Sequence, residues 1–292
     1  MTRSTPRLFC FGLGFSALAL ARRRRDDGWR VAGTTRDPAK VERLAGEGIE
    51  SFLFDAGRPL EEAAAALAGT THLLASAPPG AGGDPVLAAH GAAIAALPEL
   101  AWVGYLSTTG VYGDRGGGWV DEASSLTPSG ERGRRRVEAE AAWLALHRDQ
   151  GAPVHLFRLA GIYGPGRSQL DSVAAGTARR IVKPGQVFSR IHVEDIATVL
   201  EASMARPNPG AAYNVCDEEA ADPAEVVAFA AALLGLPAPP ALPFESAELS
   251  PMGRSFYDDN KRVSNRRIKE ELGVRLRYPD YRAGLKALAA QR

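Results

Sequence analysis

Short apolar runs alternate with longer stretches of helical periodicity from the N-terminus to residue 159. The apolar runs predict strands at 7–11, 29–35, 52–54, 72–76, 102–108 and 154–159. The stretches between them predict helices at 15–25, 60–68, 85–97 and 131–148, with one more opening at Asp37-Pro38. Asp37 and Asp84, each followed by proline, are the expected N-caps of their helices. Strands separated by helices of this length form βαβ units. The pattern therefore predicts an α/β fold built on a doubly wound parallel sheet.

After residue 159 the alternation loosens. Lys183-Pro-Gly-Gln186 predicts a type II turn between two short extended pieces, and the prolines of 237–243 predict a stiff connector. Asp195 is expected to cap the helix predicted at 194–206. Further elements are predicted at 213–215, 223–234, 265–272 and 281–291. We expect a domain over 1–165, with 192–217 returning to its sheet, and a smaller lobe formed mostly by 166–292.

Charge and composition narrow the choice of partners. The chain has 35 Lys plus Arg and 34 Asp plus Glu, so its net charge of +1 predicts neither nucleic acid nor an anionic membrane as a partner. The run Arg22–Arg25 falls in the predicted last turn of a helix, where cations are favourable. No apolar stretch reaches the length of a membrane span, and no signal peptide is recognisable, so we expect a cytoplasmic protein.

Cysteine and histidine give no sign of a metal or redox centre. Cys10 and Cys216 lie in apolar runs, which predicts two small buried side chains. The histidines lack metal-ligand spacing, so we expect no metal.

A glycine motif stands between the first predicted strand and the first helix. Gly12 permits a tight turn, Gly14 lets the backbone approach a pyrophosphate, and Ala17 allows close packing of helix on strand. Phe15 and Ser16 open the helix, whose N-terminal N–H groups attract anions. The sequence therefore predicts a Rossmann-like dinucleotide site at this turn.

The end of the second strand bears on which dinucleotide binds. An NAD-specific site places Asp or Glu there for the ribose hydroxyls. Here the residues are Thr34, Thr35 and Arg36, which favour the 2′-phosphate of NADP, with NAD as the alternative. Asp55, after the third strand, is expected near the adenine. After the fourth strand, the residues expected to line the cofactor are Ala75, Ser76 and Ala77.

Four later segments resemble landmarks of one protein family in the same order. They are LSTTGVYGD at 106–114, RLAGIYGPGR at 158–167, RIHVEDIA at 190–197 and YNV at 213–215. Together with the glycine turn, they make the chain similar to extended short-chain dehydrogenases/reductases of the nucleotide-sugar epimerase and dehydratase type over roughly residues 7–235. The resemblance implies a small-molecule substrate, which it does not name, and relatives that often form homodimers through helices on one face of the sheet.

By this resemblance Thr108 takes the place of the catalytic Ser/Thr. The family's Tyr-x-x-x-Lys pair is replaced by Arg132 and Arg136, so the chain resembles an atypical subgroup. Arginine stays charged and cannot act as the proton donor that tyrosine supplies. Tyr112 is a candidate replacement if its loop folds back toward Thr108.

Two hypotheses about function remain open on the sequence. The first is an NADP-dependent oxidoreductase, epimerase or dehydratase with a non-standard active site, acting on a small carbonyl or sugar-like substrate. The second is a dinucleotide-binding sensor or partner-binding protein without turnover. Arg132 and Arg136 favour the second hypothesis, whereas Thr108 and the later landmarks favour the first.

Overall fold

A computed structural model describes residues 5–292, and its elements follow the predicted alternation. The strands are β1 (Arg7–Phe11), β2 (Arg30–Thr35), β3 (Glu50–Leu53), β4 (His72–Ala75), β5 (Trp102–Thr108), β6 (Trp119–Val120), β7 (Val154–Leu159), β8 (Gly161–Tyr163), β9 (Arg180–Val182), β10 (Arg190–His192), β11 (Ala212–Val215), β12 (Ala241–Pro243) and β13 (Arg262–Val263). The helices are α1 (Phe15–Asp26), α2 (Pro38–Gly46), α3 (Ala63–Leu67), α4 (Pro85–Ala95), α5 (Glu131–Gln150), α6 (Gln169–Ala174), α7 (Val193–Ala205), α8 (Pro223–Leu233), α9 (Pro251–Tyr257), α10 (Arg266–Glu270) and α11 (Tyr281–Ala289).

Seven strands form the central sheet in the order β11-β7-β5-β4-β1-β2-β3. Strand β1 pairs in parallel with β2 on one side and with β4 on the other. The chain therefore reverses its direction of progress across the sheet beside β1, which is where open α/β sheets bind ligands. The predicted α/β, doubly wound, Rossmann-like fold is confirmed.

Local sequence signals explain where several helices begin and end. The carboxylate of Asp37 accepts the backbone N–H of Ala39, and that of Asp84 accepts the N–H of Val86, so both predicted N-caps are confirmed. The cations of Arg23, Arg24 and Arg25 occupy the last turn of α1, as predicted.

The chain divides by packing into two compact units. Unit 1 comprises 1–107, 135–158 and 197–213, of which 5 onward are described, and unit 2 comprises 108–134, 159–196 and 214–292. Unit 1 has a core of strand side chains packed against α4 and α5, including Phe11, Tyr105 and Trp143. In unit 2, helices α6, α8 and α11 pack around an apolar core of their own. The expected domain boundary near residue 165 stays a prediction.

Two features of unit 2 differ from the sequence prediction. The proline-bounded connector ends in strand β12, which pairs in parallel with β9. Asp195 lies inside the first turn of α7 and does not cap it, so that prediction is wrong. Its carboxylate oxygens accept the backbone N–H groups of Arg277 and Tyr278 at 2.7 and 3.0 Å. Asp195 precedes Arg277 by 82 positions and Tyr278 by 83, so the local sequence gave no sign of these contacts.

The predicted type II turn is confirmed. The N–H of Gln186 donates to the carbonyl oxygen of Lys183 at 3.0 Å, and Gly185 has a φ of +77°. Within residues 5–292 no helix is both long enough and apolar enough to cross a bilayer.

Candidate functional site

The glycine turn after β1 is held in place from the end of β2. Gly12 has a φ of +89°, a conformation that side chains with a Cβ rarely adopt, and its N–H donates to Thr34 Oγ1 at 2.8 Å. The N–H of Leu13 donates to the Thr34 carbonyl oxygen at 2.7 Å. A Cβ on Gly12 would lie 3.2 Å from the backbone nitrogen of Ala77. The backbone of the turn is therefore closely specified.

The first residues of α1 form an uncapped helix N-terminus. Gly14 is the N-cap residue, and no side chain in the described part of the chain caps the helix. Gly14 is exposed, and a Cβ built on it would meet no heavy atom within 4 Å. Ser16 and Ala17 are buried, whereas Phe15 is half-buried. The space beside Gly14 and the positive end of the α1 dipole fit a pyrophosphate group.

The three residues predicted to select the cofactor differ in their surroundings. Thr34 is 1% exposed, and its hydroxyl oxygen accepts the Gly12 N–H, so this side chain supports the turn. The Thr35 hydroxyl is also buried, and it accepts the N–H of Asp37 at 3.2 Å. Arg36 is exposed and makes no hydrogen bond or ion pair with residues 5–292. Of the three, Arg36 has the cation available to an anionic ligand.

The other predicted cofactor residues border the turn to different degrees. Ala75 is fully buried. The backbone of Ser76 and Ala77 lies next to Gly12, where a Cβ would approach both. The Asp55 carboxylate accepts the N–H of Gly57 at 2.9 Å. The position of Asp55 near an adenine stays a prediction.

Two residues near the turn were missed from the sequence. Gly33 of β2 is required by packing, because a Cβ there would lie 2.9 Å from the Leu13 side chain and 2.5 Å from the Cys10 carbonyl oxygen. Lys40 of α2 donates from Nζ to the Leu13 carbonyl oxygen. A lysine in the first turn of a helix resembles any surface lysine, so the sequence gave no signal for this contact.

The Ser/Thr segment after β5 is folded into a 3₁₀ turn over Thr109–Tyr112. Thr108 caps this turn, and its hydroxyl oxygen accepts the Gly110 N–H at 3.1 Å. Tyr112 is fully buried, and its hydroxyl donates to Asn214 Oδ1 at 2.7 Å. In this structure the Tyr112 hydroxyl is engaged with Asn214, and the hypothesis that Tyr112 supplies a proton stays a prediction. This hydrogen bond joins two residues of unit 2 that are 102 positions apart.

The two arginines predicted to stand at the family's Tyr and Lys positions make different contacts. The guanidinium of Arg132 is exposed and lies 5.9 Å from the ring centroid of Phe256. Arg136 donates from Nη1 to the Tyr105 hydroxyl at 3.0 Å and to the Leu106 carbonyl oxygen at 2.6 Å. Burial raises the pKa of Tyr105 to about 12, so its hydroxyl stays protonated. Arg136 is thus fastened to β5.

A buried ionic network, which the sequence did not reveal, holds the end of β5. Glu140 is 2% exposed, and its carboxylate accepts the Ser107 hydroxyl at 2.5 Å and Arg158 at 2.8 Å. Arg158 is 6% exposed. Both charges are desolvated, so each depends on the other for compensation.

A second network in unit 2 supports the loop that follows Tyr112. Lys261 is buried and donates to the Gly113 carbonyl oxygen at 2.9 Å and to Asp259 at 2.8 Å. The next contact comes from Asn260, whose N–H donates to Asp114 Oδ1 at 2.8 Å. Gly113 and Lys261 lie 148 residues apart and Asp114 and Asn260 lie 146 apart, beyond the reach of local patterns.

Comparison with known proteins assigns the family. The sequence profile described as the NAD dependent epimerase/dehydratase family matches residues 58–216. The chain belongs to this family. It is 31% identical to Protein YeeZ of Escherichia coli K12 over 284 residues, which cover 92% of this chain and 95% of that protein. Chain and relative are therefore similar over nearly their whole lengths.

Solved structures show the same fold. A functionally unknown conserved protein from Silicibacter pomeroyi is 56% identical, with a TM-score of 0.89 over 98% of this chain and 99% of that one. The dTDP-glucose 4,6-dehydratase of Bacillus anthracis, solved in complex with NAD, is 16% identical, with a TM-score of 0.78 over 98% and 96% of the two chains. At that identity the likeness concerns the fold.

Proposed function

We propose that this chain binds NADP and acts as an oxidoreductase, epimerase or dehydratase on a small carbonyl or sugar-like substrate, with a non-standard active site. The observation that carries the proposal is Arg36, which directly follows β2, is exposed and has no ion pair within residues 5–292, together with the space at Gly14 of the glycine turn. Family membership and the NAD complex of the Bacillus anthracis dehydratase support a nicotinamide dinucleotide. NAD is the alternative cofactor.

Each proposed role follows from the chemistry of the residue. The N–H groups at the start of α1 would hold the pyrophosphate, and Arg36 would pair with the 2′-phosphate. A bound nicotinamide ring donates or accepts a hydride. The Thr108 hydroxyl would hydrogen-bond a substrate oxygen. Arg132 and Arg136 are able to stabilise negative charge but not to donate a proton, so the proton would come from the substrate or from water.

Titration calorimetry with NADPH and NADH tests the cofactor preference. The wild-type chain should bind NADPH more tightly, and Arg36→Ala should remove the preference. A charge-assisted hydrogen bond contributes about 1.5–3 kcal/mol, or roughly ten- to a hundredfold in affinity. Arg43→Ala, which removes an exposed cation further along α2, is the matched control and should keep the preference. Equal affinities of the wild-type chain for the two cofactors would contradict the proposal.

The second candidate function is dinucleotide binding without turnover. It is favoured by the engagement of Tyr112 with Asn214 and by arginine at position 132. Following NADPH absorbance with nucleotide sugars and small carbonyl compounds separates the two functions. Hydride transfer to any of them supports the enzyme. Tight NADPH binding with no transfer to the whole panel supports the binding protein.

A further inference from the structure

Lys40 is fixed against the glycine turn. It is the third residue of α2, and its Nζ donates to the carbonyl oxygen of Leu13, the residue between Gly12 and Gly14. Leu13 is itself tied to the end of β2 by the hydrogen bond from its N–H to the Thr34 carbonyl oxygen. An ammonium group has three N–H donors, so two remain after the contact with Leu13.

The protein gives this cation an unfavourable electrostatic setting. The first turn of a helix is the positive end of its dipole, which disfavours a lysine there. Burial is the largest cause of a lowered Lys40 pKa, and the charges of Arg43 and Arg22 lower it further. Asp37 and Glu47 act in the opposite direction, but across residues 5–292 no carboxylate lies within ion-pair distance of Nζ. Lys40 is therefore a partly desolvated cation without an ionic partner.

Arg36 is a second cation without an ionic partner in residues 5–292. It precedes Lys40 by four residues and is exposed. A doubly charged anion bound beside the turn would compensate both cations at once, and phosphate oxygens accept from ammonium and guanidinium groups alike. A bound pyrophosphate would accept hydrogen bonds from the N–H groups at the start of α1. Lys40 lies elsewhere on the turn, at the carbonyl oxygen of Leu13.

We propose that Lys40 is a second specificity-determining residue of the dinucleotide site, binding the 2′-phosphate of NADP together with Arg36. This inference rests on the NADP preference proposed above. It adds that the phosphate is held from two sides, by an arginine at the end of β2 and by a lysine on α2.

Calorimetric titration of Lys40→Met and Lys40→Gln with three probes tests the inference. Methionine keeps the aliphatic stem, and glutamine keeps a donor for the Leu13 carbonyl oxygen without the charge. Both variants should bind NADPH and adenosine 2′,5′-bisphosphate about tenfold more weakly, because one charge-assisted bond is lost. NADH, which lacks the phosphate, should bind within about twofold of wild type. Arg43→Met on the same helix should leave all three affinities unchanged.

The outcomes separate this inference from the proposed cofactor preference. If both Lys40 variants lose NADPH and NADH affinity equally, the lysine only holds the turn and the inference is overturned. If Arg36→Ala loses NADPH affinity and the Lys40 variants do not, the inference fails and the NADP preference stands. If the wild-type chain binds NADPH and NADH equally, both fail. Lys40→Arg, which retains a cation, should recover most of the NADPH affinity.

Discussion

The glycine turn in unit 1 and the Ser/Thr segment in unit 2 use their polar groups in opposite ways. At the turn, internal hydrogen bonds fix Gly12 and Leu13, whereas Gly14 borders space and Arg36 is unpaired in the described chain. In the Ser/Thr segment, the hydroxyl of Tyr112 is taken by Asn214. The turn therefore keeps space and a cation available to a ligand, whereas the Tyr112 hydroxyl is committed to a contact within the protein.

The strongest test of the turn is Gly14→Val. The Gly14 φ of −80° suits any residue, and a Cβ there meets no heavy atom, so the variant should fold normally. The valine side chain would occupy pyrophosphate space, and dinucleotide affinity should fall by more than about a hundredfold. Gly46→Val, at the end of α2 and equally free of contacts, is the control. Calorimetry showing unchanged affinity in Gly14→Val would place the binding site elsewhere.

The next largest effect is expected where polar groups are committed to structure. Glu140→Ala removes the partner of buried Arg158, and breaking such a pair costs about 3–5 kcal/mol. Removing the exposed pair of Arg134 and Glu131 by Arg134→Ala should cost less than about 1 kcal/mol. Thermal or denaturant unfolding measures both changes. Equal losses of stability in the two variants would show that the buried ion pair contributes no more to stability than the exposed one.

Asp217 is an exception to the commitment of polar groups in unit 2, because its buried Oδ2 has no hydrogen-bond partner among residues 5–292. Burial is the main cause that raises its pKa to about 8, against the lowering effect of Arg190. The folded pKa lies above the unfolded value near ~3.9. The contribution of protonated Asp217 to the free energy of unfolding is therefore present at low pH and is lost as the pH rises toward 8.

Asp217→Asn should remove this pH dependence. Relative to the wild-type chain, the free energy of unfolding of the variant should rise by on the order of 1 kcal/mol per pH unit between about pH 5 and pH 8, with little further change above pH 8. Unfolding midpoints at several pH values measure the difference. A difference that does not change over this range would mean that Asp217 is already ionised in the folded protein at pH 5.

The smallest expected effect concerns Tyr112→Phe. Loss of the hydrogen bond to Asn214 should cost about 1 kcal/mol of stability and leave NADPH affinity unchanged. If turnover is found, the variant should keep it, because the hydroxyl is engaged inside unit 2. Complete loss of turnover without loss of stability would instead support Tyr112 as the proton donor.

Local signals in the sequence determined the alternation of strands and helices, the caps at Asp37 and Asp84, and the glycine turn after β1. These features depend on periodicity and on residues within a few positions of one another, so they are visible in the chain itself. The prediction that Asp195 caps a helix failed because its partners are 82 and 83 residues away.

Only the tertiary structure decided which polar residues remain available to a ligand. Tyr112 and Asn214 are 102 residues apart, and Lys40 reaches Leu13 across 27 residues. Strand pairing and helix packing bring such partners together, and the residue types alone do not specify the choice. The sequence therefore located the glycine turn, whereas the fold showed that Thr34 supports it, that Lys40 contacts it and that Tyr112 is buried.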